Sequence, residues 1–228
     1  MTTGLRATAR MELLDRLPLF AAAPRTVLDL DGAVTGIVAG AAEDGGALRR
    51  MFPGARIIAT RDPVSAVDAP AAARPRARVA TALAALRRLL PGGAAPIERI
   101  AASPARLPLA GGSIDLALGH WLAPGADALD GVLAELRRVL APGGLFLWTT
   151  PGLGAAAEPL DMHDLGAALA RAGFAEPVLD VDRHRGPDGV TEVIHAAAFA
   201  GSAPRARGET VIPLDRLGRR RGPGDDAP

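Results

Sequence analysis

The stretch DALDGVLAELRRVLAPGGLFLWTTPG, residues 127–152, carries two structural signals back to back. Leu129, Val132, Leu133, Leu136, Val139 and Leu140 recur at the three-and-four spacing of a single helix face. Pro142-Gly143-Gly144 ends that periodicity, because Pro has no amide donor and Gly costs backbone entropy inside a helix. Leu145-Phe146-Leu147-Trp148-Thr149-Thr150 then runs without a charge, which is the pattern of a strand covered on both faces. A helix feeding such a strand is one unit of an α/β fold.

The same alternation extends in both directions. Residues 5–19 read as an amphipathic helix with Leu5, Ala9, Leu13 and Leu17 on one stripe, followed by a short apolar strand at Thr26–Leu30. A Gly-rich turn from Asp31 to Gly36 leads to a helix around Ala47–Met51, which Pro53-Gly54 stops before a second strand at Ala55–Ala59. Arg78–Leu90 reads as a helix, and Ile97–Ala101 and Ser113–Leu118 as third and fourth strands. Past residue 152, Asp161 caps a helix that runs through Ala172 and stops at Gly173. Strands are expected at Pro177–Val181 and Thr191–Phe199. The expected architecture is one α/β domain over residues 1–200, a mostly parallel, doubly wound sheet with helices on both faces. Residues 201–228 are rich in Pro, Arg and Gly and read as a disordered tail.

Composition limits the chemistry. The chain has 228 residues, 49% hydrophobic and 22% charged, which suits a folded core. Lys+Arg 26 against Asp+Glu 25 leaves a net charge of +1, so a broad electrostatic footprint for nucleic acid is not expected. Cys, Tyr, Lys, Asn and Gln are all absent, a restriction explained by GC-rich coding. A thiol nucleophile, a Cys-ligated zinc and a Lys Schiff base are thereby excluded. What remains is carboxylates, four His, Arg, hydroxyls and backbone. No apolar run approaches the roughly 20 residues needed to span a bilayer, and no apolar leader is seen, so a cytoplasmic location is the expectation.

The specific signal lies in the motifs. LPLAGGSIDLALGH at 107–120, with the Arg-Arg-Val-Leu-x-Pro-Gly-Gly run entering its strand, resembles the later motifs of class I S-adenosylmethionine-dependent methyltransferases. Within that superfamily the chain is most similar to the malonyl-acyl-carrier-protein O-methyltransferases of biotin synthesis. RMELLDRL, LPLAGGSIDL, DMHDLGAALARAGFAEPVLDVDR and PDGVTEVIHAAAF carry the likeness, which extends from about Ala9 to Phe199. Complex I assembly factors related to these enzymes share the pattern. The resemblance implies a Rossmann-like class I methyltransferase fold, with residues 26–150 as the cofactor-binding half and 151–200 as a shortened substrate side. It implies S-adenosylmethionine as cofactor, a carboxylate as methyl acceptor and an acidic acyl carrier protein as partner.

Carried over residue by residue, the resemblance places the cofactor at Asp29, Gly32, Thr35 and Gly36, where the family motif has one residue fewer and a further glycine. The family's ribose-binding acid aligns with Arg61, with Asp62 beside it as the substitute if the strand ends early. The adenine-binding Asp aligns with Ser103, and the Asn after the fourth strand with His120, the candidate for a direct catalytic role. The segments between Gly154 and Asp161 and between Arg185 and Val190 are short against the family. These departures leave two readings: an active methyltransferase, or an inactive methyltransferase-like binding or assembly protein. His163 is expected to cap or pack, and no metal site is expected at His184 or His195. Trp121 is expected to pack. Arg74, Arg76, Arg78 and Arg219-Arg220-Arg221 are candidates for attracting the carrier protein.

Overall fold

The computed structural model describes residues 2–20, 23–30, 32, 46–62, 97–155, 159–186 and 189–201. Its elements are α1 (Thr2–Phe20), β1 (Thr26–Leu30), α2 (Gly46–Met51), β2 (Arg56–Arg61), β3 (Glu98–Ala101) and β4 (Ile114–His120). They continue with α3 (Ala126–Val139), β5 (Leu140–Pro151), α4 (Met162–Arg171), β6 (Phe174–Gly186) and β7 (Gly189–Ala200). The expected helix at 78–90 and the tail from 202 onward lie outside the described residues.

The seven strands among the described residues form one sheet in the order β3-β2-β1-β4-β5-β7-β6. β3, β2, β1, β4 and β5 are parallel, while β7 runs antiparallel to both β5 and β6. The chain therefore steps outward from β1 to β2 and β3 on one side, then returns to β4 on the other. That reversal opens a crevice at the carboxyl ends of β1 and β4, the place where open α/β sheets bind ligands. Asp115 fixes the two strands at the opposite end, where its Oδ2 accepts the Arg25 and Thr26 amides at 2.8 and 2.9 Å.

Each face has its own core. On one, Leu129, Val132, Leu133, Leu136 and Val139 of α3 and Leu165 and Leu169 of α4 pack on Leu28, Leu30, Phe146 and Trp148. On the other, Leu13, Leu14 and Leu17 of α1 and Leu48 of α2 cover Val27, Ile57, Leu116, Leu118 and Leu147. Burying each of these side chains contributes about 1.5–3 kcal/mol relative to exposure, which outweighs intrinsic helix preference. Among the described residues, no helix is long and apolar enough to cross a membrane.

Several boundaries differ from the sequence reading: β2 runs on to Arg61 and β4 to His120, and the later strands change more. Leu140 does not end α3 but starts β5, pairing with Ile114. Pro142-Gly143-Gly144 is therefore not a loop but an irregularity inside the strand, where the register slips between Ile114 and Leu116. Glycine is required there: a Cβ on Gly144 would stand 2.8 Å from the Ala141 carbonyl oxygen and 3.1 Å from that of Ile114. The last two strands are also much longer than read, because they form one hairpin paired as far as Gly186 and Gly189.

Candidate active site

β1 delivers Asp29 to the crevice, fully buried. The chain then turns sharply, with the Gly32 amide bonded to the Asp29 carbonyl oxygen at 3.4 Å and Gly32 at φ 61°. That left-handed conformation costs a residue with a Cβ about 1–2 kcal/mol, so the turn accounts for glycine at this position. Thr35 and Gly36 lie outside the described residues.

β2 ends at Arg61, paired with Ala101 of β3, and Asp62 follows as the first residue off the sheet. Both are half-buried. Because the strand has ended, Asp62 is not bound by strand alternation to the face opposite Arg61. Ser103 stands just beyond β3 in a local turn: its carbonyl accepts the Arg106 amide at 2.9 Å and its hydroxyl the Ala105 amide at 3.4 Å. Asp29, Gly32, Asp62 and Ser103 thus all lie at the carboxyl edge of adjacent strands.

His120 is the last residue of β4 and is buried. Its cross-strand partner is Thr149 of β5, and its Nδ1 lies 2.9 Å from the Thr149 hydroxyl. The same hydroxyl accepts the Trp121 amide at 3.0 Å. The ring also bonds to the Arg6 backbone at the start of α1, a bond that favours the protonated imidazole, so the neutral ring donates there and its Nδ1 accepts from the Thr149 hydroxyl. Burial, reinforced by the nearby Arg6 and Arg10 guanidiniums, pushes the His120 pKa down to about 3. At neutral pH the ring is uncharged, and both nitrogens are engaged. Trp121, immediately after, sits at φ 55°, a left-handed conformation that bulky residues rarely hold. The Leu122 amide and carbonyl bond back to the Thr149 carbonyl at 3.2 Å and to the Trp148 indole at 2.7 Å, which keeps this turn in place.

His195 of β7 stands opposite Thr149 on the same sheet face, so His120, Thr149 and His195 form a row across three strands. The sequence reading expects no metal site at His195, and in the fold α1 crosses this row and brings charged partners to the ring. Nε2 of His195 lies 3.1 Å from Asp182 and 3.4 Å from Glu12, three groups whose spacing could hold a cation. Arg16 gives the cluster another use. Its Nη1 lies 3.0 Å from His195 Nδ1, and a guanidinium can only donate. Nδ1 is therefore an acceptor, the ring proton sits on Nε2 facing the carboxylates, and a metal on Nε2 would have to displace it. Arg16 Nη2 also holds Asp180 and Asp182, each at 3.1 Å. Hydrogen bonding to His195 and Arg16 brings the Asp182 pKa down to about 2. The cluster clamps α1 onto the β6–β7 hairpin; no spacing in the sequence announces it, because its members come from residues 12 to 195.

The two most recognisable motifs bind each other. Arg138 of the Arg-Arg-Val-Leu run donates to the carbonyls of Leu107 and Leu109 at 3.1 and 2.9 Å, and both Arg138 and the Leu107 amide are held by Glu135 at 2.7 Å. These bonds lower the Glu135 pKa. They tie the LPLAGG segment to α3 and so set where β3's end and Ser103 lie.

Residues 57–148 match a methyltransferase domain model. The match runs from β2 to Trp148 of β5, across the centre of the sheet. It is 32% identical over 194 residues to the malonyl-[acyl-carrier protein] O-methyltransferase of Methylovorus sp. (strain MP688), covering 78% of this chain and 60% of that protein. With the enzyme of the same name from Laribacter hongkongensis (strain HLHK9) the identity is 35% over 185 residues, covering 74% and 57%. The chain thus spans less than two thirds of the length of either relative. Among solved structures, the Burkholderia thailandensis 1,6-didemethyltoxoflavin-N1-methyltransferase, with bound substrate and S-adenosylhomocysteine, superposes at TM-score 0.56 and 18% identity. That match covers 86% of this chain and 78% of the other, and it establishes the fold.

Proposed function

We propose that the protein is an S-adenosylmethionine-dependent methyltransferase whose acceptor is a carboxylate, as in malonyl-acyl carrier protein. The observation that carries the choice of acceptor is the state of His120. An alcohol acceptor needs a base to take its proton, and efficient bases titrate near the working pH. His120 is neutral, poorly basic and engaged at both nitrogens. A carboxylate, with an ordinary pKa of about 4, arrives already ionised and needs no base. The relatives' names support the same acceptor class.

Asp29, Gly32, Thr35, Gly36, Asp62 and Ser103 would hold the cofactor. The described members fit in kind: a glycine in a left-handed turn where backbone must pass closely, an acid just past β2, and a half-buried hydroxyl past β3. Bound there, S-adenosylmethionine supplies a sulfonium methyl that a carboxylate oxygen takes in line as the thioether leaves. The protein's own part is alignment and exclusion of water. Thr149 holds His120 and the Trp121 amide, and these shape the mouth at β4's end. A carrier-protein partner and a cytoplasmic location belong to the same proposal. Calorimetry with S-adenosylhomocysteine and a methyl-transfer assay on malonyl-acyl carrier protein test it. No heat at millimolar ligand, together with no transfer, would sink it.

A further inference from the structure

We propose that His195 is a proton-operated latch on α1: the neutral ring holds the helix through Arg16, and the protonated ring holds it through Glu12, one turn away. The two ring nitrogens impose this exchange. Nδ1 lies 3.0 Å from Arg16 Nη1, and a guanidinium can only donate, so that contact exists only while Nδ1 carries no proton. A second proton on the ring would set two donors against each other there. Arg16 would then keep its bonds to Asp180 and Asp182 on β6 and lose the one to His195.

The other side of the ring is arranged to take over. Nε2 lies 3.1 Å from Asp182 Oδ2 and 3.4 Å from Glu12 Oε2. Glu12 Oε2 is buried and completes no hydrogen bond in this arrangement, so α1 carries an unsatisfied acceptor beside the ring. Glu12 and Arg16 stand at i and i+4 on one face of α1, and a small movement of the helix exchanges one tether for the other. Among the described residues, the charged groups around His195 are Glu12 and Arg16 from α1 and Asp180 and Asp182 from β6; β5 presents Thr149 and β4 the neutral His120. These carboxylates outnumber the single guanidinium, and a proton on the ring offsets the excess negative charge. Burial works against the charged ring, but the pull of Asp182 and then Glu12 outweighs it and holds the His195 pKa above its usual 6.5. The Glu12 tether is therefore complete below pH 6.5 and is given up as pH rises through the raised value. Any movement of α1 reaches the crevice, because the Arg6 backbone bonds to His120.

NMR of the imidazoles in the full chain, titrated from about pH 5.5 to about 9.5, tests the latch. There are four histidines, so each signal can be assigned by single substitution. His120, with its pKa of about 3, does not titrate in that range and so reports on α1 rather than on its own proton. In the wild type the His120 signal should shift with the midpoint of His195. Glu12→Gln should lower both midpoints together, with proton binding at least about tenfold weaker. In Arg16→Met, His195 should bind its proton more tightly while the His120 signal no longer follows, because the tether of the neutral ring is gone. A His120 signal that stays flat through the His195 titration overturns the proposal. So does one that still follows in Arg16→Met, since it would report charge acting along the row and not movement of α1. If Arg16→Met does not fold, a Glu12→Gln protein in which the two midpoints separate overturns the latch equally. These readouts need neither cofactor nor turnover, so their outcome is independent of the function proposed above.

Discussion

Acidification should destabilise this protein through His120, and the size of the effect follows from its burial. A ring held at a pKa of about 3 in the fold, against 6.5 when unfolded, binds its proton more readily in the unfolded chain. Stability from this group is therefore intact above pH 6.5 and is lost as pH falls toward 3. Integrating the difference in bound protons gives almost nothing at pH 7.5, a loss of about 2 kcal/mol at pH 5, and about 4 kcal/mol by pH 3. The control is His120→Asn, which removes the titrating group while keeping hydrogen-bonding capacity toward Thr149. Urea unfolding of both proteins at pH 7.5 and pH 5 gives two pH dependences, and their difference isolates His120. His195 titrates in both proteins and cancels. Asp182, with its pKa lowered to about 2, keeps its contribution above 3.8 and loses it only as pH falls through 2, outside this window. Wild type should lose about 2 kcal/mol more than the variant, close to 1 M in urea midpoint. Profiles that stay parallel within about 0.5 kcal/mol would refute the buried, neutral imidazole, and with it the argument for an acceptor that needs no base.

Three further outcomes follow. Thr149→Val keeps the side-chain shape but strands the Trp121 amide and His120 Nδ1, and should cost about 2–4 kcal/mol, whereas Thr149→Ser should cost about 1; equal urea midpoints for the two would contradict the assigned network. Gly144→Ala sets a Cβ against two carbonyl oxygens and should destabilise by 2 kcal/mol or more, read by thermal melting, because backbone rather than a flexible side chain must move. Arg138→Met should leave α3 folded but raise hydrogen exchange at residues 107–112, since the bonds it removes run from the helix to that segment; unchanged exchange there would mean the motif pair is not what holds it.

The fold could be read from the sequence because its cores are built from periodic apolar residues. The stripe of α3, the unbroken apolar run of β5 and the Asp161 cap all appear where their spacing places them. Errors came where one residue type serves two geometries. Pro142-Gly143-Gly144 looks like a loop but is a kink within a strand, and Leu140 satisfies the helix period while pairing with Ile114. The site was legible only in part. Asp29, Gly32, Asp62, Ser103 and His120 do gather at one edge of the sheet, as strand order demands. The Thr149 contact was not foreseeable because strand register decides it, and the Glu12–Arg16–Asp182–His195 clamp because it depends on where α1 crosses the β6–β7 hairpin.

The two sides of the crevice then differ in kind. On the β1–β3 side, Gly32, Asp62 and Ser103 stand just past strand ends. Ser103 sits in a turn of its own beyond β3, whereas Arg61 is still the last residue of β2 and pairs with Ala101. On the β4–β5 side, His120 is fixed by Thr149, by α1 and by the clamp that anchors α1, so its environment is part of the core. On the function proposed above, a change at His120 would therefore reach stability and acceptor binding together, whereas a change at Ser103, whose hydroxyl makes one long bond within its own turn, would reach mainly cofactor affinity. Measuring unfolding and cofactor binding on His120→Asn and Ser103→Ala separates these cases: the first should shift both midpoint and pH profile, the second the cofactor Kd with little change in midpoint. If Ser103→Ala also cost more than about 1 kcal/mol of stability, the division of labour across the crevice would be wrong.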